Sequence, residues 1–161
     1  MPERHQSHVD AVAMFRRGPN ILEEALAGVT DEEAGFAPAP GKWTIREIAR
    51  HLTDTEIVAG MRLRQIIAED RPLMAVFDQD RWAANLGYAR CDAFDSAAKF
   101  RVLRDDMSAI LESLSPAAFE RVGLHPERGA WTLLQWVSQF GIHVETHAGQ
   151  IRSIRGKWSR R

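Results

Sequence analysis

The sequence predicts an all-α protein, a bundle of four long helices. Apolar residues recur at helical spacing in four long stretches, roughly 7–29, 44–70, 91–114 and 131–155. No stretch shows a convincing strand alternation. The links are unequal, and the second-to-third and third-to-fourth are long enough to cross the bundle. At 161 residues the natural organisation is a single domain spanning 1–161.

The first helix carries Val9, Val12 and Phe15, then Leu22, Leu26 and Val29. Gly18-Pro19-Asn20 interrupts it, because Pro19 has no N–H for the carbonyl four residues back. The spacing allows one kinked helix or a restart with Pro19 in the first turn. Asp31–Lys42, with Pro38, Pro40 and Gly41, reads as a loop. The second helix has a defined start: Thr44 as N-cap, Glu47 completing a capping box, and Trp43 stapling onto Ile48. Its buried stripe is Ile45, Ile48, Leu52, Ala59, Leu63 and Ile66, and Pro72 ends it.

Residues 71–90 are less regular, with a short helix over Asp78–Ala84 and a turn at Asn85-Leu86-Gly87. The third helix runs from about Cys91 to Leu114, with Phe94, Ala98, Val102, Met107, Ile110, Leu111 and Leu114 as its apolar face. Ser115-Pro116 opens a short helical turn. Arg121–Gly129 reads as loop with room for a brief extended piece, and Thr132 starts the fourth helix. That start repeats the second: GKWTIRE and GAWTLLQ align at an offset of 88 residues. Duplication and convergence on a good helix start both account for the match.

Bulk properties narrow the function classes. The chain is 45% apolar and 27% charged, as in ordinary soluble domains, and no apolar run is long enough for a bilayer. A net charge of −1 and the lack of a basic face argue against nucleic acid as a partner. The basic end, Lys157, Arg160 and Arg161, reads as a solvated tail. The opening residues lack the apolar segment of a signal peptide, and the one cysteine, Cys91, suits a reducing compartment. The expected location is the cytoplasm.

The chemistry-bearing constellation is histidine. His143 and His147 stand four residues apart on the fourth helix, so they share one face about 6 Å apart. Two such imidazoles hold a metal ion if a third ligand joins them. His51 is the candidate, on the shoulder of the second helix's buried stripe. It lies about 10 Å along its helix, and the His143–His147 midpoint lies about 15 Å from the end of the other. Antiparallel helices bring the three rings to similar heights, whereas parallel helices starting level separate them by about 9 Å. Hydrogen-bonded interior histidines are the alternative reading.

His143-Val144-Glu145-Thr146-His147 is not the zinc-peptidase motif, since its glutamate lies two residues after the first histidine and about 200° away from it. Asp54 and Glu47, one turn from His51, are candidates to orient its ring, although Glu47 already serves the cap. Gln139, one turn before His143, is a candidate to line a substrate pocket. His125 is expected at the far end of the fourth helix from the ligands. His5 and His8 are expected to be solvated, and Trp82 and Tyr88 to pack or to cover one end of the bundle.

The order of GKWTIREIARHLTDTE and HPERGAWTLLQWVSQFGIHVETHAGQI, with Gly-Pro in the first helix, resembles the DinB-like superfamily and its YfiT-like metal-dependent hydrolases. The resemblance covers most of the chain. It implies a four-helix bundle of up-down-down-up topology and a metal triad at His51, His143 and His147, with zinc or nickel as cofactor and a homodimer as assembly. Characterised enzymes of the superfamily include S-transferases and an isomerase that use bacillithiol, mycothiol or glutathione. The expected function is therefore a metal-dependent hydrolase, or a low-molecular-weight-thiol S-transferase, acting on a small electrophilic substrate. The alternative is a non-enzymatic metal-binding or interaction bundle with a stress- or DNA-damage-linked role.

Overall fold

The first amphipathic stretch folds as His8–Arg16 (α1) and Gly18–Leu26 (α2), interrupted only at Arg17. The computed structural model describes residues 7–160 of the chain, so His5 and Arg161 lie outside the described residues. Arg17 keeps helical torsions, and Ile21 N–H still reaches the Arg17 carbonyl at 3.2 Å. Of the two outcomes open at Pro19, the restart is the one adopted: a new helix begins at Gly18 with Pro19 in its first turn, although the backbone stays helical across the junction. Val9, expected in the core, is 63% exposed, while Val12 and Phe15 are buried. His8 is half-buried against Phe119 rather than solvated, with ring centroids 5.1 Å apart.

The presumed loop after α2 contains a one-turn helix, Asp31–Ala34 (α3), because Thr30 caps it by accepting from Glu33 N–H at 3.2 Å. The second long helix, Ile45–Ala68 (α4), and the last, Leu133–Trp158 (α7), begin with the same reciprocal cap. Glu47 and Gln135 amides donate to the Thr44 and Thr132 hydroxyls at 3.3 and 3.2 Å. In return the Thr44 and Thr132 amides donate to the Glu47 and Gln135 side chains at 2.8 Å. The sequence repeat therefore extends to three dimensions, including Gly41 and Gly129, whose φ values of 72° and 75° favour glycine. The last helix runs past Arg155, so Lys157 belongs to its final turn rather than to a tail.

Between α4 and α7 lie Gln79–Asn85 (α5), Ala93–Glu112 (α6), and 3-10 turns at Tyr88–Arg90 and Pro116–Glu120. The stretch read as loop forms an antiparallel hairpin, Val122–His125 (β1) and Gly129–Thr132 (β2). Four-residue strands are too short to display an alternating pattern. A segment remote in sequence supports them: Met74 N–H donates to the Leu124 carbonyl, and Leu124 N–H to the Pro72 carbonyl, both at 2.8 Å.

Cross-helix contacts fix the directions. Thr53 donates to the Ser96 carbonyl, Glu56 pairs with Arg104, and Arg64 pairs with Asp106, so α4 and α6 run parallel. His51 meets His143, while Arg62 lies over Trp136, so α4 and α7 run antiparallel. Phe15 meets Arg104 while Glu23 meets Arg101, so the first helix opposes α6. The result is the up-down-down-up four-helix bundle.

The core divides into two apolar clusters. One gathers Leu22, Leu52, Phe100 and Val144, the other Phe15, Ala59, Met107 and Phe140. On α4, α6 and α7 the boundary falls between the same neighbours, and there Arg104 and Glu56 sit 1% and 2% exposed. Arg104 Nε and Nη2 donate to the two Glu56 oxygens at 2.8 and 2.6 Å. This pair corrects the expected face of α6. Its buried stripe is Ala93, Ala97, Phe100, Arg104, Met107 and Leu111, whereas Phe94 and Val102 are 49% and 69% exposed. The stripe turns because a charged residue, not an apolar one, takes the central inward position.

Truncating Arg104→Ala strands the Glu56 carboxylate in the core and is expected to cost about 3–5 kcal/mol of unfolding free energy in a urea titration. The apolar double variant Glu56→Leu/Arg104→Met should regain most of that loss. An equal loss in both would assign the effect to packing instead of charge.

Candidate metal centre

Two capped helices deliver three imidazoles to one point. His51 is 2% exposed on the inner face of α4, and His143 and His147 are half-buried on successive turns of α7. Because α4 and α7 are antiparallel, the rings meet at one level with centroids 4.5–5.2 Å apart. The Nε2 atoms of His51 and His143 are 3.3 Å apart, and those of His143 and His147 are 3.1 Å apart. One ligand atom from each residue lies within 4.8 Å of the other two.

These separations fit a central ion. Nitrogens about 2.0–2.1 Å from a metal lie about 2.8–3.0 Å from their neighbours in an octahedral arrangement and about 3.3–3.4 Å in a tetrahedral one. Among the described residues no fourth His, Cys, Asp or Glu joins the group. Three protein nitrogens without a fourth ligand is the pattern of an open site rather than a closed structural one.

Electrostatics keep the rings in their ligating form. Burial, reinforced by His147, pushes His51 down to about 3. Burial also pushes His143 down to about 3, with His147, His51 and Arg104 adding to the effect. His147 is lowered by burial, opposed by its hydrogen bond to Gln150. That bond joins His147 Nδ1 to Gln150 Oε1 at 2.9 Å. The amide oxygen only accepts, so Nδ1 carries the proton and Nε2 keeps its lone pair for the shared point.

Packing orients His51. The Trp43 ring, the staple of the helix cap, lies 4.9 Å from it, and His51 Nδ1 is buried without a hydrogen-bond partner. Asp54 is turned away from that role by Arg50, which pairs with it at 2.7 Å. Asp54 also lies beside buried Tyr88, whose hydroxyl is pushed up first by burial and then by this carboxylate. Glu47 is held in the capping box. Glu145 is exposed, consistent with rejecting the peptidase motif.

A cavity of about 270 Å³ opens on His51 and His143 and is lined by Gln139, the candidate pocket residue. Thr55 also lines it, with its hydroxyl 3.5 Å from His51 Nε2, a residue recognisable only as the i+4 neighbour of His51. His125 lines it as well, contrary to the expectation that it would lie away from the site. The hairpin folds back along the bundle and lays His125 on Trp136, centroids 5.5 Å apart, and the cavity runs along the groove from there to the triad. Trp82 packs on Phe77, another lining residue, with centroids 4.7 Å apart. A second cavity, of about 580 Å³, is lined by His147, Gln150 and Trp43.

An up-down-down-up bundle with three histidines converging from its second and fourth long helices defines a class of helical proteins with a candidate metal centre. The sequence profile of the DinB superfamily matches residues 14–151, and the chain belongs to that superfamily. It is 29% identical over 141 residues to a "Putative metal-dependent hydrolase" of Bacillus licheniformis, covering 83% of this chain and 80% of that protein. It is 25% identical over 151 residues to the "Putative metal-dependent hydrolase YfiT" of Bacillus subtilis, covering 92% and 85%. The solved structure of YfiT, described as an unusual four-helix bundle topology, superposes with a TM-score of 0.89 at 21% identity, covering 99% of this chain and 93% of that one.

The lowered imidazoles make the metal-free protein acid-sensitive. His51 and His143 titrate near 6.5 when unfolded and near 3 when folded, so between those values the unfolded chain binds more protons. Their contribution is intact above pH 6.5 and falls as pH drops toward 3, by at most about 1.4 kcal/mol per pH unit for each ring. Urea titrations of chelated protein at pH 7 and pH 5 should show this loss, and His143→Gln should reduce its slope. A slope unchanged by the substitution would contradict the assignment.

Proposed function

We propose that this protein is a metal-dependent enzyme in which His51, His143 and His147 hold a divalent ion of the zinc or nickel type, and that it joins a low-molecular-weight thiol to a small electrophile. The observation that carries the enzymatic reading is a cluster of three ligand nitrogens, with no fourth ligand among the described residues, facing a cavity. A divalent ion held there supplies a Lewis acid that lowers the pKa of a bound thiol or water.

The chain's own part is to keep three nitrogens unprotonated, to fix their direction through Gln150 and Trp43, and to receive molecules from two sides. One cavity reaches His51 and His143, and the other reaches His147. Two approaches suit a two-substrate reaction. The carboxylates on the helices beside the triad support the same reading, because none of them is placed as a base, and the two that line the cavities, Glu127 and Asp80, are exposed. Asp54 and Glu56 are ion-paired, Glu47 closes its cap and Glu145 faces solvent. An acidic thiol needs less help from a base than water does. Hydrolysis of the electrophile is the second reading, favoured by the names of the relatives.

Protein purified without a histidine tag should carry about one divalent ion per chain by elemental analysis, and His143→Ala should carry almost none. Equal metal in the two samples would sink the triad. Gln150→Ala is expected to weaken metal binding about 10–100-fold while the fold persists. With metal loaded, a chromogenic electrophile should be consumed only when bacillithiol, mycothiol or glutathione is added. Turnover without any thiol would carry the hydrolase reading instead.

A further inference from the structure

We propose that the end of the cavity remote from the histidines is an oxyanion-binding subsite, built by Arg62 and Arg128, so that the substrate of the proposed reaction carries a carboxylate or phosphate group. This inference rests on the reading that the cavity receives substrate, and it adds the chemical class of that substrate.

Arg62 is the central observation. It is 6% exposed, yet no carboxylate lies within 4 Å of its guanidinium among the described residues, which include nine ion pairs elsewhere. One nitrogen, Nη2, donates to the Ala75 carbonyl at 2.6 Å, and Nε is buried without a partner. The guanidinium also lies over the Trp136 ring, 5.3 Å from its centroid. A buried cation held by one carbonyl and one ring face is costly unless an anion joins it. The other deeply buried arginine, Arg104, has a two-pronged carboxylate partner. Arg62 lacks this and lines a cavity instead.

The rest of the lining has the same bias. Its charged residues are Arg62, Arg128 and Glu127, two guanidiniums against one carboxylate. Arg128 is exposed and rests on Trp131, 4.8 Å from the ring centroid, so its charge is held at the mouth. His125 adds a donor. Its Nδ1 accepts from Glu127 N–H at 3.2 Å, so the neutral ring carries its proton on Nε2. Burial lowers Arg62, with Arg128 adding to the effect and Glu127 opposing it, and burial followed by Arg62 lowers His125. Burial is the larger cause in both, and the neighbouring guanidiniums act in the same direction.

Placement sets the substrate's shape. Arg62 follows His51 by eleven residues on α4, roughly 16 Å along the axis, of which an arginine side chain can span part. Phe140 stands between Trp136, under Arg62, and His143 on α7, and it lines the cavity together with Phe77. The fitting molecule therefore has an acidic group at one end, an apolar middle and its reacting centre at the other.

Calorimetric titration of the full chain with 3-phenylpropionate, phenethyl phosphate and the neutral 3-phenylpropionamide tests this. The protein is stripped with a chelator so that no anion can bind a metal, and metal binding is scored separately, so failure of the metal reading would leave this result standing. At least one anion should bind, and the amide should bind about tenfold or more weakly. The stronger anion identifies the oxyanion class. Arg62→Met should weaken that anion about tenfold or more without altering the amide, and the exposed Arg128→Ala should weaken it by a smaller factor. The second variant decides if the first fails to fold. No anion binding to the wild type, equal binding of anion and amide, or anion affinity unchanged in Arg128→Ala and in any folded Arg62→Met would overturn the proposal.

Discussion

The bundle is organised around one buried guanidinium. Arg104 from α6 holds Glu56 of α4 with two hydrogen bonds and donates a third, 2.8 Å long, to the carbonyl of Phe15. That carbonyl is the one Pro19 cannot serve, so the break in the first helix and the buried arginine form a single device. Gly18 completes it, because a Cβ there would lie 2.8 Å from Arg104 Nη1. Phe15 and Phe100 flank the cation, 3.8 and 4.8 Å from its carbon. Three of the four long helices are thereby registered against one another at the seam between the two apolar clusters. Unlike apolar packing, such a network is directional, and it fixes rotation and height together.

The histidine cluster inherits this registration. Glu56 follows His51 by little more than one turn, and Val144, which borders Gly18, is the neighbour of His143. Fixing the height of α4 against the first helix and α6, with α7 packed beside them, sets where the three rings meet. Three imidazoles crowded in a buried place disfavour protonation through desolvation and mutual repulsion, so the arrangement that costs the metal-free protein acid stability also keeps the nitrogens available as ligands. Gln150 and Trp43 then orient the rings, a task that carboxylates often perform in metal sites.

The same contrast separates the two buried arginines. Arg104 is saturated by a carboxylate, a carbonyl and two rings, and its role is completed within the fold. Arg62 is anchored at one nitrogen and faces a cavity that begins at the histidines, so its charge is left for something outside the chain. Polar saturation distinguishes a structural charge from one available to a ligand.

Much of this was legible in the sequence, because the signals were local. Helical period, the paired Trp-Thr starts and the i,i+4 histidines depend on residues a turn or two apart, and each is found in the structure. His51 was accessible as a candidate because its place on a stripe can be counted. Tertiary structure alone decided what depends on remote partners. The inward face of α6 was misread because a lone arginine looks solvated until Glu56, 48 residues away, is seen to meet it. The hairpin was hidden because its support comes from Pro72 and Met74, and with it His125 was assigned to the wrong place. Asp54 is a candidate partner for His51 by spacing alone, and only the structure shows that Arg50 takes its carboxylate and that Gln150 partners His147. The sequence by itself determined which long helices form and which of their faces bear histidine. The charges and strands that join distant segments emerged only when packing brought their partners within a few ångströms.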